Sequence, residues 1–176
     1  SMIRICGPKA LEIADVIFQP DPRHPKPSEA PTHTVHHGWI VEGRQITDEV
    51  MLTVLRAPRS YTMQDTVEIT THGGMLVTGR VLETVLKHKV RLARPGEFTR
   101  RAFMSGRIDL TQAEAVADII RARTDSALAA ASAQLQGRLL DEINGLYENL
   151  VRTLAHIEAH LDFPEEDLKP DDREKI

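Results

Sequence analysis

Along the first half of the chain, short apolar runs alternate with polar residues at every second position, whereas in the second half apolar residues recur every third or fourth position. Ile3-Arg4-Ile5-Cys6 alternates as a strand does, and it begins so abruptly that a truncated strand is expected. After the Gly7-Pro8 turn, Leu11, Ala14 and Phe18 fall at helical spacing, with Pro8 suited to a first helical position. Five prolines between Gln19 and Pro31, with charges among them, predict an exposed, variable loop. Residues 36–41 and 49–56, rich in Val, Ile, Leu and Trp and divided by Glu42-Gly43-Arg44, read as strand, turn and strand. A further strand over 66–71 runs into His72-Gly73-Gly74. A helix over 75–88 then follows from the spacing of Leu76, Gly79, Leu82, Val85 and Leu86. Val90-Arg91-Leu92-Ala93 closes this part as another predicted strand, giving α/β layers over one mixed sheet.

From Pro95 onward the pattern is helical. A short helix opens at Pro95-Gly96-Glu97-Phe98 and ends near Gly106, and Thr111-Gln112-Ala113-Glu114 reads as a capping box ahead of Ala115, Val116, Ile119 and Ile120. Beyond Thr124-Asp125, apolar residues from Leu128 to Leu161 keep three- and four-residue steps, which predicts one long helix interrupted near Gly137 or Gly145. Such a helix extends roughly 50 Å, and its apolar stripe requires further helices or a second copy of the chain. The fold class is therefore α+β: a mixed-sheet domain over 1–118 followed by a partial all-helical domain over 119–176.

Composition narrows the functional classes. No apolar run approaches the roughly 20 residues a membrane span needs, so no membrane association is expected. The net charge of -4 gives no global basic field for a phosphate backbone, and nucleic-acid contact must be local or shared with other parts. A single cysteine, Cys6, excludes an internal disulfide framework and a multi-cysteine zinc site, and suits a reducing, cytoplasmic setting. Neither a G-x-x-x-x-G-K-[ST] loop nor a G-x-G-x-x-G turn occurs, so this stretch has no nucleotide cradle and no NTPase activity of its own is expected.

Several residues carry two readings. His72-Gly73-Gly74 at a strand-to-helix junction is either an anion-holding turn or a plain tight turn. Glu68, opposite in alternation to Val67 and Ile69, either faces solvent or accepts two parallel N–H bonds from a heterocycle such as a pterin or guanine. His156 and His160 stand four apart, as two metal ligands would, but H-E-x-x-H is not matched, and solvated or partner-facing histidines are expected there and at His33, His36 and His37. No metal site follows. Cys6 is expected to be a small structural hydrophobe. Arg100, Arg101, Arg107, Arg121 and Arg123, beside Glu97, Asp109, Glu114 and Asp118, are expected to form a salt-bridged helical surface.

Taken together, certain blocks resemble one family: Arg56-Ala57-Pro58-Arg59-Ser60-Tyr61-Thr62, Asp65-Thr66-Val67-Glu68-Ile69 with His72-Gly73-Gly74, and Arg94-Pro95-Gly96-Glu97-Phe98-Thr99-Arg100-Arg101-Ala102-Phe103. Ile108-Asp109-Leu110-Thr111-Gln112-Ala113-Glu114-Ala115 and Asp162-Phe163-Pro164-Glu165-Glu166 belong with them. The resemblance is to the tRNA modification GTPases called MnmE or TrmE, and it covers almost the whole chain in order, with residues 19–43 departing from the pattern.

That resemblance implies a dimerising tetrahydrofolate-binding domain, akin to the folate domain of aminomethyltransferases, followed by the opening of a helical domain. The GTPase domain, with its GTP, magnesium and potassium, would lie outside this chain, leaving no catalytic residue here and an inactive fragment. The parent would work as a homodimer with the flavoprotein MnmG (GidA), adding an aminomethyl-type group to the wobble uridine of tRNA. Its carbon donor would be a tetrahydrofolate in the 5-formyl or methylene form. The folate contacts implied are Arg4, Glu68 and Arg107. At Arg107 the family often has lysine, so a planar fork replaces a point charge. The family also carries a leading strand with a Gly-rich turn ahead of the Ile3 segment, and a C-terminal cysteine motif that Cys6 does not replace. The alternatives are a dimerisation scaffold without a working folate site, and a stand-alone folate-dependent one-carbon transferase.

Overall fold

The computed structural model describes residues 1–162. Two compact units appear, the first Ser1–Ile108 and the second beginning at Asp109. The break therefore comes earlier than the 118/119 boundary read from the sequence, because Asp109 is itself the cap of the first helix of the second unit.

In the first unit, strands β1 (Met2–Cys6), β2 (Phe18–Pro20), β3 (Thr34–Glu42), β4 (Gln45–Leu55) and β5 (Thr66–Thr70) form one sheet in the order β1-β5-β4-β3-β2. Every pairing is antiparallel, which corrects the expectation of a mixed sheet within the α+β class. The physical reason is local: β3 and β4 join through the short Glu42-Gly43-Arg44 turn, and no helical crossover returns a strand parallel to its neighbour. Helices α1 (Ala10–Ile17) and α2 (Met75–Leu86) cover one face of this sheet. They bury Leu11, Ile17, Val81 and Val85 against Ile3, Ile5, Ile40, Leu52, Val54, Val67 and Ile69.

Three elements differ from the sequence reading. The first helix stops at Ile17, and Phe18 turns into β2, opposite Ile40. Gly38 makes this possible, since a Cβ there would overlap the Gln19 carbonyl oxygen and lie 2.6 Å from Phe18 Cζ. Pro20, which lacks an N–H donor, is tolerated because β2 is an edge strand. The Pro-rich stretch is pinned, not loose: Pro27 and Ala30 are buried. Arg56 holds its backbone by donating to the Ala30 carbonyl at 2.9 Å and to that of Ser28. His36, expected to be solvated or partner-facing, is buried on the core face of β3, where burial holds its pKa below the ordinary histidine value. Residues 90–93 form no strand. They run as irregular backbone into α3 (Glu97–Met104), because Arg91 is drawn to a carboxylate at the start of that helix and away from a ladder.

That carboxylate, Glu97, anchors α3. Its Oε2 accepts from Arg91 Nη1 at 2.8 Å and from the Arg94 amide at 3.0 Å, while Oε1 accepts from Arg91 Nη2 at 2.6 Å and Arg101 Nη2 at 2.7 Å. The Arg91 guanidinium first, then the Arg94 amide and Arg101, hold its pKa far below the ordinary carboxylate range.

In the second unit, α4 (Leu110–Arg121) is capped by Asp109, not by Thr111. Asp109 Oδ1 accepts from the Gln112 amide at 2.9 Å, and the Gln112 side chain accepts from the Asp109 amide at 3.0 Å, a reciprocal box that starts at Asp109 and not at Thr111 as expected. Gln112 also donates to the Leu135 carbonyl and Gln134 to the Thr111 carbonyl, both at 2.9 Å, clasping α4 to α5 (Asp125–Leu135). Gly137, at φ +87, ends α5, and α6 (Arg138–Asp162) continues straight through Gly145. Leu139, Ile143, Leu146, Leu150, Leu154, Ile157 and Leu161 are exposed along α6, and nothing among the described residues covers them.

Two outcomes follow from this architecture. Gly38→Ala should destabilise the first unit by about 1–3 kcal/mol, because backbone and not a flexible side-chain tip must give way; urea unfolding measures it. Glu97 is ionised in the fold far below its free value of 4.5, so its stabilisation is complete above pH 4.5 and drains away as pH falls below that. Unfolding midpoints between pH 7 and pH 2 should therefore fall more steeply in the native chain than in Glu97→Gln; parallel curves would contradict the anchor.

Candidate functional site

Arg4 and Glu68 face each other directly across the β1–β5 ladder, on the sheet face away from α1 and α2. The pairing follows from the register. Ile3 meets Ile69 and Ile5 meets Val67 on the core side, so the residues between them must emerge on the opposite side. Arg4 Nε donates to Glu68 Oε1 at 2.6 Å and Nη2 approaches the same oxygen at 2.5 Å, leaving Oε2 without a protein partner among the described residues. The Glu68 side chain is 18% exposed and that of Arg4 35%. A carboxylate so placed is half-desolvated, held in a fixed plane, and still able to accept N–H donors at its other oxygen.

Helix α3 closes this region from the side. The Phe98 ring lies 5.3 Å from the Arg4 guanidinium carbon, a cation–π contact that limits where the guanidinium can swing. Next along the helix, Thr99 accepts from the Tyr61 hydroxyl at 3.3 Å, and the Tyr61 ring stands 5.7 Å beneath the Arg107 guanidinium carbon. Arg101 donates to Gln64 at 3.0 Å, and Gln64 also accepts from Cys6 at 3.5 Å. Cys6, half-buried and 2.9 Å from the Thr62 hydroxyl, is thus a tie between β1 and the 56–65 loop.

The structure therefore brings Arg4 and Glu68 into direct contact and reaches Arg107 only through the relay Phe98, Thr99 and Tyr61. Beside Arg4, between the free edge of β1, the C-terminal half of α2, residues 89–93 and α3, lies a cavity of about 510 Å³. Its lining includes Arg4, Cys6, Leu82, Val90 and Phe98, a mostly apolar wall with a few polar groups, and its volume is that of a small-molecule site. Glu68 and Arg107 do not line it. The open sheet face thus offers a carboxylate acceptor fixed by a guanidinium, next to an apolar cavity that the carboxylate does not itself line.

The other candidates separate cleanly. His72 is tied by its amide and by Nδ1, each 3.0 Å from Asp48, so the His-Gly-Gly turn is fastened to β4. No cluster of three or more His, Cys, Asp or Glu suited to a metal occurs among the described residues. Of the arginines expected to form a salt-bridged surface, Arg101 pairs with Glu97, whereas Arg100 has no ion pair among the described residues. Phe98 and Tyr61 carry no role in the sequence reading, which places Glu97 in a salt-bridged helical surface and not as the anchor of α3. The Glu97–Arg101 spacing of four was the only available signal, since the other contacts span the fold.

Residues 1–107 match the family model described as the GTP-binding protein TrmE N-terminus, and residues 110–176 match the MnmE helical domain. A tRNA modification GTPase MnmE from Lachnoclostridium phytofermentans is 50% identical over 165 residues, covering 94% of this chain and 36% of that protein. The relative of the same name from Exiguobacterium sibiricum is 49% identical over 170 residues, covering 95% and 36%. One from Geobacillus thermodenitrificans is 48% identical over 169 residues, covering 95% and 36%. The chain thus spans about a third of the length of the curated relatives it matches. With its two units matched in order by two models of one family, this chain belongs to the MnmE (TrmE) family.

Proposed function

We propose that this chain is the folate-binding, dimerising unit and the opening of the helical unit of a tRNA modification GTPase. The observation that carries the reading is the Arg4–Glu68 pair on the open sheet face, beside an apolar cavity of small-molecule size. Glu68 would accept the pterin amide and exocyclic amine. Arg4, already fixed over Phe98, would orient that carboxylate and meet the ligand's oxygen atoms. Arg107 would pair with a carboxylate of the tail, its position set by Tyr61. When bound, a tetrahydrofolate in the 5-formyl or methylene form supplies the one-carbon unit.

The remaining steps belong to the whole protein. The parent hydrolyses GTP with magnesium and potassium in a domain outside this chain, and with the flavoprotein MnmG (GidA) installs an aminomethyl-type group on the wobble uridine of tRNA in the cytoplasm. The homodimer forms through the first unit. No helix among the described residues is long and apolar enough to cross a membrane. The uncovered stripe of α6 supports a helical domain that continues beyond this chain.

One observation favours the scaffold reading instead. Arg4 already occupies Glu68 Oε1, and a cross-strand ion pair needs no ligand to explain it. Calorimetric titration with 5-formyltetrahydrofolate separates the two. Glu68→Ala should weaken binding by roughly 2–3 kcal/mol, about 30- to 150-fold, with oligomeric mass unchanged, because it removes charge-assisted acceptors from a half-buried site. Equal affinities would assign Glu68 to the sheet alone.

A further inference from the structure

On the flank of α3 lies a second cavity, of about 570 Å³, lined mainly by arginines. Arg91, Arg94, Arg100 and Arg101 line it together with a single carboxylate, Glu97. Between residues 91 and 107 the sequence holds five arginines and one acid, in a chain whose net charge is -4. Positive charge is therefore segregated here against the average of the molecule. Glu97 neutralises part of it by binding Arg91 and Arg101. Arg94 and Arg100 have no side-chain partner among the described residues, and both are exposed. Holding two uncommitted guanidiniums beside two committed ones costs repulsion that an external anion would relieve.

We infer that this arginine-lined cavity holds phosphates of an RNA backbone, and that it is a tRNA contact of the protein. The inference rests on the reading that the parent acts on tRNA. Guanidinium forks match phosphate oxygens in pairs, and the Glu97 anchor sets Arg91 and Arg101 at fixed positions before any ligand arrives. The lining contains no aromatic ring on which a base could stack, so the contact is to backbone and carries no sequence preference. A polyglutamate tail on the folate is the rival anion, because Arg91, Glu97 and Arg101 line both cavities. Arg94 and Arg100 decide between them: they line the outer cavity and not the one beside Arg4.

The test uses the full-length protein and a tRNA transcript, with binding followed by fluorescence anisotropy across salt concentrations. The double variant Arg94→Ala/Arg100→Ala should bind tRNA more weakly, with the slope of log K against log salt reduced by about 1.5 to 2, as two lost phosphate contacts require. Affinity for 5-formyltetrahydrofolate and the rate of GTP hydrolysis should stay unchanged, which shows that the variant is folded. Arg94→Lys/Arg100→Lys should restore most of the slope. An unchanged tRNA affinity and slope in the alanine variant would overturn the proposal. So would a loss confined to the preference for pentaglutamyl over monoglutamyl folate. If the native protein fails to bind tRNA even at low salt while its folate affinity is intact, the tRNA reading itself falls along with this site.

Discussion

The register of β1 on β5 is the constraint from which the candidate site is built. Ile3, Ile5, Val67 and Ile69 are all buried on one face, and the side-chain period of a strand is two, so a slip of β1 by one residue would turn Ile3 and Ile5 outward. Burial of those residues stabilises the fold by far more than an exposed ion pair does, so hydrophobic packing, not the attraction between Arg4 and Glu68, sets where that pair meets. The ion pair follows the core. In turn it fixes a half-buried carboxylate at the open face of a sheet whose other face is closed by α1 and α2.

A second anchor positions what surrounds the pair. Glu97 gathers Arg91, Arg101 and the Arg94 amide around one carboxylate, which ties the irregular segment before α3 to the helix itself. From that point α3 presents Phe98 to Arg4, Thr99 to Tyr61 and Arg101 to Gln64. Three elements far apart in sequence, β1, the 56–65 loop and α3, are joined at one place by contacts of a single helical turn. The same carboxylate separates the apolar cavity beside Arg4 from the arginine-lined cavity on the outer flank. One structural residue thereby serves two surfaces of different chemistry.

Much of this was legible in the sequence, for reasons that differ by element. Alternation over residues 3–6 and 66–71 gave the strands and the outward position of Glu68, because period two is a direct consequence of strand geometry. The step pattern from Leu128 to Leu161 reads as one long helix with a break near Gly137 or Gly145, and the break falls at Gly137 while the helix runs on through Gly145. Arg4 and Arg107 came only from the family resemblance, since nothing in spacing says that residue 4 meets residue 68. β2 was missed because Phe18 continues a helical stripe, and its extended conformation is decided across the sheet by Ile40 and Gly38. The strand expected over 90–93 failed for a related reason. Its alternation is real, but a cavity separates it from the free edge of β1, and the pull of Glu97 on Arg91 replaces the ladder. Cross-sheet and cross-loop contacts of this kind leave no local period to read.

The most direct measurement of the central claim is a crystal structure of the chain with 5-formyltetrahydrofolate bound. The account predicts the pterin edge on the Glu68 carboxylate, Arg4 still across from it on β1 and over Phe98, and the ring system against the apolar wall beside β1. Ligand seated away from Glu68, with the Arg4–Glu68 pair undisturbed, would contradict it.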